Sequence, residues 1–230
     1  VNVSGTHSVG QLLTAAPGTW NDAKDGNPAP ALTYQWRRAD DAGGSGAADI
    51  AAATATTYTL TAADAHKFVC VVETATDSGT PMPAQAVAVA TAWTLVQNTA
   101  PVLQADKPVA VLEESQDTAL GISAPTDVDN DTLTITVKVI ATAGKGTVTK
   151  ASGTVLAVND VLTAGELTGL LFDTVTDATG AAGTFRYEVT DGTATVSQTV
   201  TAEGPGLSGP TEKTVTSSTS LSDLFVTPDD

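Results

Sequence analysis

The chain has 230 residues, of which 41% are apolar, 4% aromatic and 16% charged, and its formal net charge is -16. This length suits about two domains of ordinary size, and the acidity disfavours binding to nucleic acid or to an anionic membrane while suiting contact with divalent cations. A single Cys excludes an intrachain disulfide, and no apolar run is long enough to insert into a membrane.

Short strand-like segments follow one another along the first half of the chain, each ended by Gly, Pro, Asn or Asp. Thr and Val are frequent in them, and β-branched side chains pack well on a pleated sheet. Several alternate apolar with polar residues, which is typical of an antiparallel sheet with one buried face. Thr61 is predicted to cap a short helical turn. The predicted strands are 33–37, 57–60, 68–73 and 86–90.

Trp36 lies within a predicted strand and is predicted to be a core residue, and Asp64, Phe68 and Cys70 follow about thirty residues later. This pattern resembles the strand C Trp and the D-x-G-x-Y-x-C corner of immunoglobulin-like domains. Phe68 stands where the family has Tyr and His66 where it has Gly, and Cys70, without a partner, is predicted to be a small buried hydrophobe. The resemblance implies an Ig-like β-sandwich over residues 1–97. The wider series of motifs resembles Ig-like repeats of large bacterial surface proteins; these motifs are 9–14, 17–20, 34–37 and 57–61.

The second half continues the strand pattern after a Pro-containing joint at residues 98–102 and ends at a Gly-rich linker, residues 204–210. Strands are predicted at 132–137, 185–189 and 195–200, and Thr163 is predicted to cap a second short helical turn. Residues 204–230 are expected to form an ordered extension, either the first strand of a further module or a strand that pairs with another copy of the chain.

Asp127, Asp129 and Asp131 place three carboxylates at alternate positions next to a predicted strand. Carboxylate oxygens are the ligands that Ca²⁺ prefers, so this spacing predicts a calcium site. A solvated acidic turn is the alternative, since Asp and Asn favour turns. An EF-hand loop is excluded, because counting from Asp127 its sixth position is Thr132 and its twelfth is Lys138.

The order of motifs in the second half resembles the cadherin-like repeats of giant bacterial adhesins and RTX-type exoproteins. The motifs are Asn98-Thr99-Ala100-Pro101, Glu113-Glu114, 125–133, 183–187 and 189–192. The resemblance implies a cadherin-like β-sandwich over residues 98–203, with Ca²⁺ held at the junction between repeats. Its implied ligands are Asn98, Glu113 or Glu114, Asp127, Asp129, Asp131 and Asp191. The predicted fold is therefore all-β, with two tandem antiparallel Greek-key β-sandwiches and a C-terminal extension.

These observations predict a non-catalytic spacer or adhesion segment of a large bacterial protein that is secreted or displayed on the cell surface. The chain begins without Met and ends abruptly, and we expect it to be an excerpt of a longer protein. Its expected partners are neighbouring repeats of the same protein and a surface ligand that the sequence does not identify. No nucleophile motif accompanies His7, His66 or Cys70, so we expect no enzyme activity.

Two other functions are kept as hypotheses. A self-assembling surface-layer or filament subunit would use the C-terminal segment for strand exchange between copies. A carbohydrate-binding accessory module would present Trp20 or Trp93 as a stacking platform, although these side chains are also suited to covering the ends of a sandwich.

Overall fold

A computed structural model describes residues 1–20, 30–77, 85–112, 114–142, 144–175 and 182–204. The chain divides into two compact units, the first comprising Val1–Val102, Pro125–Thr134 and Val189–Val196. The second comprises Leu103–Ala124, Ile135–Glu188 and the chain from Ser197. The domain bounds 1–97 and 98–203 stay predictions, and all of the predicted extension 204–230 except Gly204 lies outside the described residues.

The first unit contains two antiparallel sheets. One has the strand order β1-β2-β5, and the other has the order β4-β3-β6-β7, with β8 also paired to β6. Each sheet also pairs strands that are not consecutive in the chain, β2 with β5 and β3 with β6, so the chain passes from one sheet to the other, as Greek-key connections do. The strands are β1 (Asn2–Ser4), β2 (Leu12–Ala16), β3 (Ala31–Ala39), β4 (Ala48–Asp49), β5 (Thr57–Thr59), β6 (Phe68–Thr76), β7 (Ala86–Ala90) and β8 (Thr94–Leu95).

The two sheets of this unit pack their apolar faces against each other. Leu13 of β2, Trp36 of β3 and Val71 of β6 are completely buried in one hydrophobic cluster. The Trp36 indole donates its N–H to the Ala55 carbonyl at 3.0 Å, so the buried polar atom is satisfied. Trp36 is therefore a core residue, as predicted.

A buried carboxylate fixes the turn that precedes β6. Asp64 ends a 3₁₀ helix (Ala62–Asp64) and is inaccessible to solvent. It accepts hydrogen bonds from the Arg38 guanidinium at 2.7 Å, from the Tyr58 hydroxyl at 2.7 Å, and from the Thr61 amide and hydroxyl at 2.8 Å. Burial alone would raise the pKa of Asp64, but these hydrogen bonds outweigh it and hold the pKa below its usual value.

The second unit is also a pair of sheets with one short helix, α1 (Ala164–Thr168). The sheet orders are β10-β14-β12 and β13-β11-β15-β16-β9. The strands are β9 (Lys107–Ala110), β10 (Thr118–Ala119), β11 (Thr134–Ala141), β12 (Gly146–Thr149), β13 (Val161–Leu162), β14 (Leu171–Thr174), β15 (Gly183–Thr190) and β16 (Thr195–Glu203). The first residue of β11, the last two of β15 and the first two of β16 are assigned to the first unit. The pairing of β9 with β16 is parallel. The all-β, antiparallel architecture is confirmed, with this parallel edge as the one feature that the sequence pattern did not indicate among the described strand pairs.

Alternation along the strands builds the core of the second unit. Phe172 and Tyr187 are buried, while their strand neighbours are half-buried. The Tyr187 hydroxyl donates to the side chain of Gln198 at 2.6 Å, and Gln198 donates to the Ala105 carbonyl at 2.7 Å. The core thus contains a hydrogen-bonded polar pair whose buried groups are satisfied.

Both helical turns predicted from capping residues are present. Thr163 accepts from the Glu166 amide, and the Glu166 carboxylate accepts in return from the Thr163 amide at 2.8 Å. This reciprocal pattern is a capping box, a signal carried by residues three positions apart. Among the described residues, no helix is long and apolar enough to cross a membrane.

Candidate metal centre

The three aspartates converge because the loop between Thr126 and β11 is folded by local hydrogen bonds. Thr126 exchanges two backbone hydrogen bonds with Val102, at 2.8 and 3.1 Å, which fixes the start of the loop. The Asp127 carboxylate accepts from the Asp129 amide at 2.8 Å, and Asn130 adopts a left-handed backbone with φ of 68°. One carboxylate oxygen from each of Asp127, Asp129 and Asp131 then lies within 4.8 Å of the others.

Asp129 is the most deeply placed of the three, with only 4% of its surface exposed. One of its oxygens accepts from the Thr99 amide at 2.6 Å, whereas the other is buried without a partner. Buried oxygens of Asp127, Asn98 and Thr99 also lack partners. In the described parts of the chain, the only other buried side-chain N or O atom without a partner is Nε of Arg186. Unsatisfied buried oxygens are costly, so their concentration in these neighbouring residues makes this a candidate site for a cation.

The donor set fits a calcium ion. All of the unpartnered atoms here are oxygens, and Ca²⁺ takes 6–8 oxygen ligands at roughly 2.3–2.6 Å. Two oxygens bound to one ion are then at most about 5 Å apart, which accommodates the 4.8 Å within which the three aspartate oxygens lie. A calcium ion held by Asp127, Asp129 and Asp131 would supply the missing partner of the buried Asp129 oxygen.

Asp191 and Asn98 form a second polar pair in the same compact unit. The Asn98 amide donates to the Asp191 carboxylate at 2.9 Å, and the other Asp191 oxygen accepts from the amides of Thr193 and Ala194 at 2.7 and 2.6 Å. The Asn98 hydrogen bond contributes most to lowering the pKa of Asp191 below its usual value. Asp191 thus orients the Asn98 side chain through its amide nitrogen, and the side-chain carbonyl oxygen of Asn98 is left without a partner.

No family model and no curated protein matches this chain. Among solved structures it is similar to the extracellular cadherin domains 1–5 of protocadherin gamma B2, with 15% sequence identity and a TM-score of 0.36. The match covers 85% of this chain and 36% of that one, so the chain spans about a third of the length of the structure it matches. The assignment of an all-β architecture to this chain rests on its own strand pairings.

The structure brings together some of the predicted site residues. Asp127, Asp129 and Asp131 form the acidic group, and Asn98 is adjacent in sequence to Thr99, which binds Asp129. Asp191 contacts Asn98 and lies outside the group of three. Glu114 is an exposed residue of the second compact unit, with φ of 56°. Glu113 lies outside the described residues, and the assignment of all seven as calcium ligands stays a prediction.

Sequence reasoning missed two residues that contact the aspartates. The Thr99 backbone amide binds Asp129, and Nε2 of His66 lies 3.0 and 2.9 Å from the two oxygens of Asp131. Every residue except Pro carries a backbone N–H, so the residue type at position 99 does not reveal that its amide is a donor. His66 is 65 positions from Asp131, so no local spacing could have connected them.

The remaining candidate residues have structural partners. The Trp20 indole donates to the buried Glu73 carboxylate at 2.6 Å, and Trp93 lies directly against Gly44, where an added Cβ would be 2.7 Å from its ring nitrogen. Cys70 is buried, and burial raises the pKa of its thiol to about 11, which leaves it protonated at neutral pH. The prediction that Cys70 is a buried hydrophobe is confirmed, and the carbohydrate platform stays a hypothesis.

Proposed function

We propose that this chain is a non-catalytic extracellular spacer and adhesion segment of a large modular bacterial surface protein, stiffened by Ca²⁺ at Asp127, Asp129 and Asp131. The observation that carries this proposal is the buried, unpartnered oxygen of Asp129 beside two further carboxylates. The formal charge of -16 supports it, since an acidic protein attracts divalent cations. Its partners in this proposal are neighbouring repeats of the same protein and a surface ligand.

Electrostatics explains why the cation matters. Carboxylates whose oxygens lie within 4.8 Å of each other repel by about 3 kcal/mol or more per pair at an effective dielectric constant near 20. A bound Ca²⁺ replaces this repulsion with attraction. The cluster is therefore expected to be stable and well ordered with the ion and less stable without it.

Stiffening follows from the course of the chain. The segments 125–134 and 189–196 belong to the first unit and continue directly into residues of the second, at Ile135 and Ser197. A cation bound by the first of these segments would restrain a connection between the units. The proposal therefore assigns the ion the role of limiting bending along the protein.

Calcium is expected to raise the free energy of unfolding of the chain. For Kd values of roughly 10⁻³ to 10⁻⁴ M, typical of extracellular sites, about 10 mM Ca²⁺ stabilises the folded state by about 1.4–2.7 kcal/mol. The measurement is differential scanning calorimetry of the whole chain, first with a chelator and then with increasing CaCl₂. Small-angle scattering of the same samples measures the proposed loss of flexibility.

Asp49→Asn is the matched control, because Asp49 is an exposed residue of the first unit outside the aspartate cluster. It removes one negative charge and should leave the calcium response unchanged. An unchanged melting temperature of the wild-type chain at millimolar Ca²⁺ would contradict calcium binding. A shifted melting temperature with unchanged scattering would contradict the stiffening alone.

The exposed strand β7 favours a second candidate, self-assembly between copies. Val89 pairs with the buried Glu73 and Val87 with the buried Ala75, so both valines share the inner face of the sheet, yet they are 43% and 53% exposed. Of the strands that the structure describes, β6 alone pairs with β7. An uncharged apolar edge is where two copies of a strongly acidic chain could pair with least repulsion.

Val89→Lys is expected to abolish any such association, because a charge on an edge strand opposes pairing with another chain. Analytical ultracentrifugation over a range of concentrations would measure it. Val155→Lys is the control, since Val155 is 57% exposed and lies outside β7. A wild-type chain that remains monomeric throughout would contradict the self-assembly candidate.

A further inference from the structure

The contact between His66 and Asp131 joins two parts of the first unit that are distant in sequence. His66 lies in the turn between the 3₁₀ helix Ala62–Asp64 and β6, and its Nε2 is 2.9 Å from one Asp131 oxygen and 3.0 Å from the other. The side chains are 47% and 21% exposed. Both residues are assigned to the same compact unit.

The backbone at His66 is unfavourable for a residue with a side chain. Its φ is 58°, in the left-handed region that Gly adopts without steric cost. The hydrogen bonds of the turn are made by other residues: the Ala65 amide donates to the Ala62 carbonyl and the Lys67 amide to the Asp64 carbonyl. The imidazole is therefore not needed to form the turn, and strain retained without local benefit suggests a role elsewhere.

The role of the His66 side chain is indicated by its contact with Asp131. Its carboxylate belongs to the group formed with Asp127 and Asp129, and it is the one that His66 contacts. A carboxylate on a loop can rotate, and a hydrogen-bond donor fixed by the neighbouring turn restricts that rotation. Partners of this kind, which hold a metal-binding side chain in orientation, typically change metal affinity by about 10–100-fold.

We propose that His66 is a positioning residue for the calcium site, whose Nε2–H holds the Asp131 carboxylate in the orientation that binds the ion together with Asp127 and Asp129. This inference rests on the proposed calcium function. It assigns His66 no direct contact with the ion. It accounts for a side chain at a backbone position where Gly would be less strained.

His66→Gly is the decisive variant because its effects on folding and on binding differ. Without calcium, the melting temperature should be essentially unchanged, since relief of strain at φ of 58° is offset by the added freedom of the unfolded chain. The affinity for Ca²⁺, measured on the whole chain by isothermal titration calorimetry with CaCl₂ at one fixed pH, should fall by about tenfold. His66→Gln keeps an N–H donor of similar reach and should restore most of this affinity.

The outcomes separate the two proposals. A wild-type chain that binds no Ca²⁺ would overturn both the proposed function and the role of His66. A wild-type chain that binds Ca²⁺, with an equal or higher affinity in His66→Gly, would overturn the role of His66 alone. A tenfold loss in His66→Gly that His66→Gln does not recover would also overturn it, because the missing group would not be the hydrogen-bond donor.

Discussion

Asp129→Asn is expected to abolish the stabilisation by calcium and, at the same time, to make the calcium-free chain more stable. The aspartate oxygen that accepts from the Thr99 amide has an equivalent in Asn, so this hydrogen bond is retained. The other oxygen, which is buried without a partner, is replaced by an amide that can donate to a neighbouring carboxylate. One charge of three is removed, which relieves repulsion of about 3 kcal/mol for each pair of carboxylates.

Calorimetry with a chelator and with about 10 mM Ca²⁺ measures both effects, and the wild-type difference of about 1.4–2.7 kcal/mol should vanish in the variant. Asp160→Asn is the control, since Asp160 also accepts a backbone hydrogen bond within a turn, at 2.8 Å from the Ala157 amide, but lies outside the aspartate group. A calcium response that persists in Asp129→Asn would place the ion elsewhere. A lower stability of this variant in the chelator would show that repulsion in the cluster is small.

Features determined by residues close in sequence could be predicted. The helical turns after Thr61 and Thr163 are predicted from these capping threonines alone, and the capping boxes found at both turns involve residues only three positions apart. The approach of Asp127, Asp129 and Asp131 was predicted from their alternate spacing, since a tight acidic loop brings such carboxylates together. The core role of Trp36 followed from its position within a strand.

Features that depend on packing between distant segments could not be predicted. His66 was interpreted as a substitution in a turn motif, and its contact with Asp131 arises only when that turn packs against the 125–134 loop. The exposure of β7 could not be predicted either, because the pattern Ala-Val-Ala-Val-Ala is typical of a buried strand. Whether such a strand is covered depends on the opposite sheet, which local sequence does not encode.

Asp64→Ala is expected to cause the largest loss of stability, about 3–5 kcal/mol, because it removes a fully buried carboxylate that accepts hydrogen bonds from Tyr58, Thr61 and Arg38. Adjacent arginines supply a matched control: Arg37 pairs with the exposed Asp49 at 2.8 Å, as Arg38 pairs with the buried Asp64 at 2.7 Å. Asp49→Ala should cost at most about 1 kcal/mol, since water replaces the lost partner. Chemical denaturation of both variants measures the difference, and equal losses would contradict a dominant role of burial.

The loss of stability in Asp64→Ala is expected to depend on pH. Because the pKa of Asp64 is below its usual value in the folded chain, its ionised form contributes stability above the unfolded pKa of about 3.9, and that contribution is lost as the pH falls through the folded value. The stability lost in Asp64→Ala should therefore become smaller as the pH is lowered below about 4.

Asp64 also anchors the turn that carries His66, so Asp64→Ala should weaken calcium binding as well. A variant that unfolds more readily but binds Ca²⁺ with wild-type affinity would show that the position of His66 does not depend on this buried carboxylate.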